Sequence, residues 1–530
     1  MKKQIINIIS AAFILAMVAG CKKGYLDINN NPNSATNTTP ELVLPQALAT
    51  TAAQESAVGT ATNLFASCWL GYWAPSGSYS VSSTDPASYY QSTGFGDGTW
   101  QAFYHNLEDY TYIEQAGKAE NKPFYEGAAK IMKAIVFQQL VDMFNNVPYS
   151  QAFLGTANIT PKYDNADSVY MAITSQLDSG VILMQNPLAL ATGSSISVSD
   201  VMFGGNTTSW IQFANTLELR ILMRQSQVIS QSYLNSELAN ITKNGQGFLT
   251  ADASVNPHYL NSSTASGNQQ SPFYGFFVTT TGLRTTGGSS DYYRGQQYMI
   301  TYLVKHNDTF RLKRIFSPGG TDLIPGGSND ATIYPASAYV GNVLGQGTLG
   351  LGGSGASSVG EGLLRSPGQP SILISAAESY FLQAEAALRG WTGFTGAAAN
   401  FYNGVLASFT YLESNNPNGN NAANEATALT SQADLTTNYN ACSTDAQRLA
   451  CIIRQKWIAM DGISPFEAWC DYRRTGQPSD IPVSLSPYID KPPTMPIRIL
   501  YPLSEYNVNT ANVDAQGTIN AHTSPVFWNH

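Results

Sequence analysis

Charge is what this chain of 530 residues has least of. Asp, Glu, Lys and Arg make up 12% of it, about half the usual share of roughly 25% in soluble domains. The 27 basic residues form no patch, against 36 acidic ones and a net charge of −9, which argues against nucleic acid as a partner. Histidine and cysteine are also scarce, five of each. His105, His258, His306, His522 and His530 are scattered, and the chain has no HExxH, no GxSxG and no phosphate loop. Zinc-peptidase, serine-hydrolase and nucleotide-hydrolase motifs are therefore absent. Cys68, Cys442, Cys451 and Cys470 match no zinc spacing. GLGG at 350–353 follows no strand, and NGNNAANE at 418–425 lacks the carboxylate density of a calcium loop. No cofactor and no metal ion is expected. After the first twenty residues no apolar run is long enough to span a bilayer.

Those first twenty residues read as a targeting segment. Lys2 and Lys3 precede an apolar run from Ile5 to Val18, and Val18-Ala19-Gly20-Cys21 has the form of a lipoprotein cleavage site. Cys21 is the expected lipidation site, and its lipid the only membrane attachment. Removing Lys2 and Lys3 leaves 25 basic against 36 acidic residues and a net charge of −11. Exported chains meet an oxidising compartment, so Cys442 and Cys451 are either a disulfide or buried free thiols.

What fills the place of charge is Ser, Thr, Asn, Gln, Gly and aromatic residues, the last 11% of the chain. Residues 21–40 form a polar tether, and residues 41–530 are read as one domain. Helical patterning covers 41–245, with helices expected at Glu41–Trp69, Trp100–Ala119, Pro123–Asn145, Asp164–Met184, Ser209–Val228 and Ser232–Thr242. Loops dominate 246–369, interrupted by one helix near Asp291–His306. Helices return over 370–475, and 476–530 is extended and Pro-rich. The clearest helix is Ser371–Arg389. Ile374, Ala377, Phe381, Ala384 and Leu388 share a face, Glu385 precedes Arg389 by four as a surface pair, and Gly390 caps the end. A second helix over Ala397–Phe409 makes it a helix pair of the kind that builds helical repeats.

Six stretches, in order, carry a resemblance: LDINNNPN (26–33) behind Cys21, WIQFANTLELRILMR (210–224), AESYFLQAEAALRGW (377–391), RQKWIAMDG (454–462), FEAWCDYRRTGQP (466–478) and RILYPLSEYNVN (498–509). Together they resemble the SusD/RagB family of outer-membrane nutrient-binding lipoproteins, in its SusD-like branch. The resemblance implies a mainly α fold, with tetratricopeptide-like helix pairs forming a curved scaffold and long irregular loops building the ligand face. It implies a non-catalytic role at the cell surface, capturing oligosaccharide, or alternatively peptide, for a TonB-dependent transporter of the SusC type. Lys22 and Lys23 depart from the acidic residues that often follow the lipidated Cys in surface-exposed relatives.

Two groups of residues compete for the chemistry. Glu378 with Glu385, and Glu467 with Asp471, are carboxylates spaced along helices. A glycoside hydrolase, the rival reading, would need two carboxylates converging on one cleft; on one helix face they more often pair with arginines. The aromatic loops are the better candidates, because the C–H faces of sugars stack on aromatic rings while hydroxyls bond to Asn, Gln, Asp and Arg. Trp69, Trp73, Tyr79, Tyr89 and Tyr90 form one expected ligand-binding cluster, and Tyr274, Phe276, Phe277, Tyr292 and Tyr293 the other.

Overall fold

Pro at the first helical turn and Ser, Thr or Asn just before it set most helix starts in this protein, described here from a computed structural model. The structure describes residues 38–189, 195–264, 267–286, 290–321, 333–414, 416, 421–489 and 494–529. The expected leader, Cys21 and the LDINNNPN tether lie outside the described residues.

Helices α1 (Pro40–Glu55), α2 (Ala61–Trp69), α3 (Asp97–Ala119), α4 (Pro123–Phe144), α5 (Ala166–Met184), α6 (Ser195–Ser199), α7 (Thr207–Arg224) and α8 (Gln231–Lys243) build the first half. In it α4 packs between α3 and α5, α1 lies on α3, and α5 on α7. Helix α4 is buried along nearly its whole length, from Phe124 through Phe144, so both of its faces must be covered by neighbours. Its approach to α5 is close because of Gly180: a Cβ there would sit 2.7 Å from Ile131 Cγ1.

The middle of the chain contributes short pieces: α9 (Pro272–Phe277), α10 (Gln297–Lys305) and α11 (Thr309–Ile315). Three two-stranded antiparallel ribbons accompany them. Strand β1 (Trp73–Pro75) pairs with β5 (Tyr293–Gly295), β2 (Ala253–Val255) with β6 (Ser371–Ile374), and β3 (Ser263–Thr264) with β4 (Gly267–Asn268). In the first ribbon Trp73 faces Gly295 and Pro75 faces Tyr293.

The second helical half is α12 (Ala376–Leu388), α13 (Ala397–Glu413), α14 (Ala422–Thr430), α15 (Asp445–Ala459) and α16 (Pro465–Thr475), followed by α17 (Leu503–Val508) and α18 (Thr510–Asp514). Ser375 caps α12 by accepting from Glu378 N, and Thr444 with Gln447 forms a capping box on α15, each cap worth about 1 kcal/mol. Helix α12 packs on α13 and α15, and α16 returns to α2. The protein is mainly helical, with helix pairs as scaffold.

Five expectations need correction. The loop-rich stretch 246–369 holds three α-helices among the described residues, α9, α10 and α11, where one was expected. Residues Ser371–Ile374 are strand β6, because Ile372, Leu373 and Ile374 are apolar on both faces and Ser375 ends them with a cap; Ile374 therefore sits outside the helix face. The first helix breaks over Ser56–Thr60, and Thr60 caps its successor. The helix expected near Asp291 begins at Gln297, after a strand. The Pro-rich final segment holds two short helices, α17 and α18. Of the two thiol readings the structure shows the second: Cys442 and Cys451 are free and buried.

Candidate functional site

A hydrolase would need two of the four carboxylates Glu378, Glu385, Glu467 and Asp471 free and facing one cleft. All four are buried and bound to cations. Glu378 on α12 receives two hydrogen bonds of 2.8 Å from the Arg220 guanidinium on α7. Glu467 on α16 accepts from Arg224 and lies 3.5 Å from Arg220 Nε. Asp471 lies 2.8 Å from Lys456 Nζ and 2.9 Å from Arg474 Nη2, and Arg474 also reaches both oxygens of Glu385, at 2.6 and 2.8 Å. Asp142 on α4 joins through Arg224 Nε at 3.2 Å. Burial pushes Asp471, Glu467 and Glu385 upward. Lys456 and Arg474 at Asp471, Arg220 and Arg224 at Glu467, and Arg474 at Glu385 outweigh it and hold all three below the usual carboxylate range. A general acid must carry a proton near neutral pH, and Glu385, Glu467 and Asp471 are held ionised. They form an ionic bolt through α4, α7, α12, α15 and α16. The pair expected on the surface, Glu385–Arg389, is formed, but Glu385 is buried in this network.

The aromatic residues divide sharply. Trp69, Trp73, Tyr89, Tyr274, Phe277 and Tyr293 are in the core, which corrects their expected place on the ligand face. Trp69 packs on Phe95 and Trp469 with ring centres 6.2 and 5.9 Å away, and Trp73 and Phe277 meet in a T-shaped contact at 5.5 Å. Tyr89 Oη accepts from Ser484 N at 2.9 Å. The physical reason is area: each ring buries some 150–250 Å² when enclosed, and the β1–β5 ribbon brings the two aromatic segments together into core. Four expected residues keep exposed surface: Tyr79, Tyr292 and Phe276 are half-buried and Tyr90 is 43% exposed.

The structure brings Tyr79 and Tyr292 together. Their rings meet edge to face at 4.7 Å, and Tyr79 Oη donates to Asp291 Oδ2 at 3.1 Å. The low-complexity loop at 344–360 folds against this pair. Gly77 N donates to Leu351 O at 2.9 Å, and Gly353 N to Ser78 Oγ at 2.9 Å. Phe276 and Tyr90 lie apart, each on another cleft. Phe276 borders a broad groove of about 1060 Å³ with Gln46, Gln54 and Gln270. Tyr90 borders one of about 410 Å³ with Gln91, Tyr488 and His522.

One strand and one turn beyond Tyr292, α10 walls a cleft of about 350 Å³. Gln297, Tyr298, Thr301, Lys305 and Asp480 line it. Tyr298 is half-buried, with Trp457 beneath it at 5.5 Å. Its hydroxyl is fixed from two sides: it donates to Asp480 Oδ1 at 2.7 Å and accepts from Arg454 Nη1 at 2.6 Å. Arg454 in turn bonds Asp480. Burial raises the Asp480 carboxyl, but the hydrogen bonds from Arg454 and Tyr298 bring it below the ordinary range, so it is an ionised acceptor, and its side chain is 61% exposed. An apolar ring face beside a preset acceptor and neutral amides can hold a polyhydroxylated molecule. Tyr298 and Asp480 are not among the ligand residues expected from sequence, and Arg454 enters there only as part of the family stretch 454–462; Arg454 and Asp480 meet Tyr298 from 156 and 182 residues away, and no local pattern carries that.

Comparison with known proteins decides the family. The family model described as "Starch-binding associating with outer membrane", SusD-like, matches residues 32–502. The chain belongs to the SusD-like family. Similar solved structures include a chitin-binding protein, 25% identical over 93% of this chain and all of its own, with a TM-score of 0.70. A chitin-binding SusD homologue from Flavobacterium johnsoniae is 22% identical over 92% of this chain and 98% of its own, with a TM-score of 0.70. A SusD homologue from Bacteroides fragilis is 21% identical over 93% and 99%, with a TM-score of 0.71. No curated protein matches. The SusD-like family is associated with the outer membrane, and among the described residues no helix of this SusD-like protein is long and apolar enough to cross one.

Proposed function

We propose that this SusD-like protein is a non-catalytic, lipid-anchored nutrient-binding protein of the outer membrane. It captures a neutral oligosaccharide and passes it to a TonB-dependent transporter of the SusC type, with Cys21 as the anchor. The observation that carries the reading is Tyr298: a half-exposed ring with its hydroxyl pinned by Arg454 and Asp480 at the wall of a cleft. A sugar stacks its C–H face on that ring. Its hydroxyls meet Asp480, Gln297 and Thr301. Tyr79 and Tyr292 offer a second contact for a longer chain. Two similar solved structures described as chitin-binding favour glycan over peptide as the ligand. The ionic commitment of Glu378, Glu385, Glu467 and Asp471 supports binding without cleavage.

The test is titration calorimetry of the lipid-free protein with chito-oligosaccharides, malto-oligosaccharides and a tryptic peptide mixture, with chromatography of the ligand afterwards. Covering about 50 Å² of ring at 25 cal/mol per Å² and making one hydrogen bond is worth about 2 kcal/mol. Tyr298→Ala is therefore expected to bind about 30-fold more weakly, and Tyr298→Phe to lose only the hydroxyl's part. Release of shortened sugars, or binding unmoved by Tyr298→Ala, refutes the reading, and binding of peptide alone transfers it to the other ligand class.

A further inference from the structure

Three acidic residues meet where α5, α7 and α8 converge: Asp178, Glu218 and Glu237, with Glu218 two residues before Arg220 of the ionic bolt. One carboxylate oxygen from each lies within 4.8 Å of the others. That is the diameter of a coordination sphere with metal–oxygen distances of about 2.4 Å, the middle of the calcium range. Three carboxylates on three helices therefore already stand at ligand spacing.

Clustered acids alone would prove little, since an exposed group of them is held apart by water. Glu218 is different. It is 2% exposed, and its Oε1 is buried with no hydrogen-bond partner. None of the three carboxylates forms an ion pair among the described residues. Every carboxylate of the ionic bolt, by contrast, has an arginine or lysine against it. A buried, unpaired carboxylate costs several kcal/mol if ionised. Among the described residues the hydrogen bonds to the cluster come from Asn240, whose Nδ2 donates to Asp178 Oδ2 at 3.1 Å and Glu237 Oε2 at 3.3 Å and leaves Glu218 aside. Asp178 and Glu218 line a cleft of about 270 Å³ with Gln185 and Lys243, which gives solvent and ions a way in.

We propose that Asp178, Glu218 and Glu237 bind a hard divalent cation, calcium by preference, which ties α5, α7 and α8 together. All-oxygen ligands and the lack of any His or Cys in the group select calcium over zinc or copper. Three carboxylates supply between three and six oxygens, and water entering through the cleft completes the shell. Magnesium, which requires a tight octahedron and keeps its waters, fits a carboxylate cluster of this spread less well. Burial, and then the neighbouring Asp178 and Glu237, push Glu218 well above the ordinary carboxylate range; a bound cation reverses that.

The experiment is calorimetric titration of chelator-treated, lipid-free protein with calcium chloride and with magnesium chloride, together with thermal melts in calcium or chelator. One calcium per chain is expected, with a Kd on the order of 0.1 mM, as in extracellular calcium modules. At a hundredfold excess over Kd the melting temperature should rise by about 2–3 °C. Glu218→Gln, which keeps the shape and removes the charge, should weaken calcium binding at least about tenfold and so cut the thermal shift to about half or less. Glu237→Gln is the second variant, used if the first fails to fold. The proposal is overturned if calcium produces neither heat nor thermal shift, or if both survive the substitution undiminished. It is also overturned if Glu218→Gln raises the melting temperature of a wild type indifferent to calcium, which would show Glu218 to be a protonated core acid.

Discussion

Replacing Glu378 by Ala separates a scaffold carboxylate from a catalytic one. In the folded protein Glu378 receives Arg220 Nε and Nη2, both at 2.8 Å, and Lys456 Nζ stands 3.6 Å from it. Arg220 is buried. Its remaining anion after the substitution is Glu467, whose Oε2 is 3.5 Å from Nε and is already engaged by Arg224. Breaking a buried pair by removing one partner costs about 3–5 kcal/mol, because the other charge stays in the core. The compact unit of roughly 490 residues has an unfolding entropy of about 1 kcal/mol per degree, so the melting temperature should fall by about 3–5 °C. Calorimetric melts of wild type and Glu378→Ala read this directly. Replacing both partners, Arg220→Met with Glu378→Leu, should recover most of the loss, since an apolar pair of similar volume leaves no orphan charge. A catalytic Glu378 predicts the opposite pattern: lost turnover and an unchanged melt. Glu378→Ala melting within 1 °C of wild type would refute the ionic-bolt reasoning.

Two other outcomes test the interior. Burial pushes Glu55 and Asp461 up to about 8, so the native state holds protons that the unfolded chain releases near pH 4; stability from these groups is present below that pH and is lost as pH rises through about 8. Glu55→Gln should therefore gain on wild type by an amount on the order of a few kcal/mol between pH 5 and pH 9, and a pH-independent difference in melting temperature would contradict this. The four thiols Cys68, Cys442, Cys451 and Cys470 are free and buried, and burial raises the pKa of each and so suppresses its thiolate, so a thiol reagent should titrate them only after denaturation; reaction of the native protein, or two thiols missing after denaturation, would show otherwise.

Helix existence was legible because it is local. The apolar face of α12 and the glycine after Arg389, with φ of 68°, can each be read within a dozen residues. Strand β6 was misread for the same reason: Ile372, Leu373 and Ile374 look alike in a buried strand and in a buried helix. Exposure of the aromatics was not legible, because it is set by distant partners. Trp73 became core when Gly295 came to lie opposite it, and Tyr298 became a candidate contact because Arg454 and Asp480 arrive from elsewhere. The arginines are placed in the same way, by distant partners. Arg220 and Arg224 stand four apart on α7, a spacing typical of a solvated face, yet both point into the core toward carboxylates on other helices.

This placement of charge bears on the ligand. The chain has few charged residues, and Arg220, Arg224, Arg311 and Arg314 are among the largest of its fully buried side chains. The surface is therefore more neutral than the composition alone implies. Weak surface fields give little steering or affinity for ionic ligands, so recognition must come from ring faces and fixed hydrogen-bond groups. That suits a sugar better than a charged peptide. It also explains why Tyr298 is held so firmly: with no long-range attraction to help, affinity depends on a site ordered before the ligand arrives. Arg454 and Asp480 supply that order from α15 and the segment after α16, and α15 and α16 are the helices that Lys456, Glu467 and Asp471 bolt to the core. On the proposed function, the carboxylates first weighed as catalytic serve the binding site instead, by keeping rigid the helix on which its arginine stands.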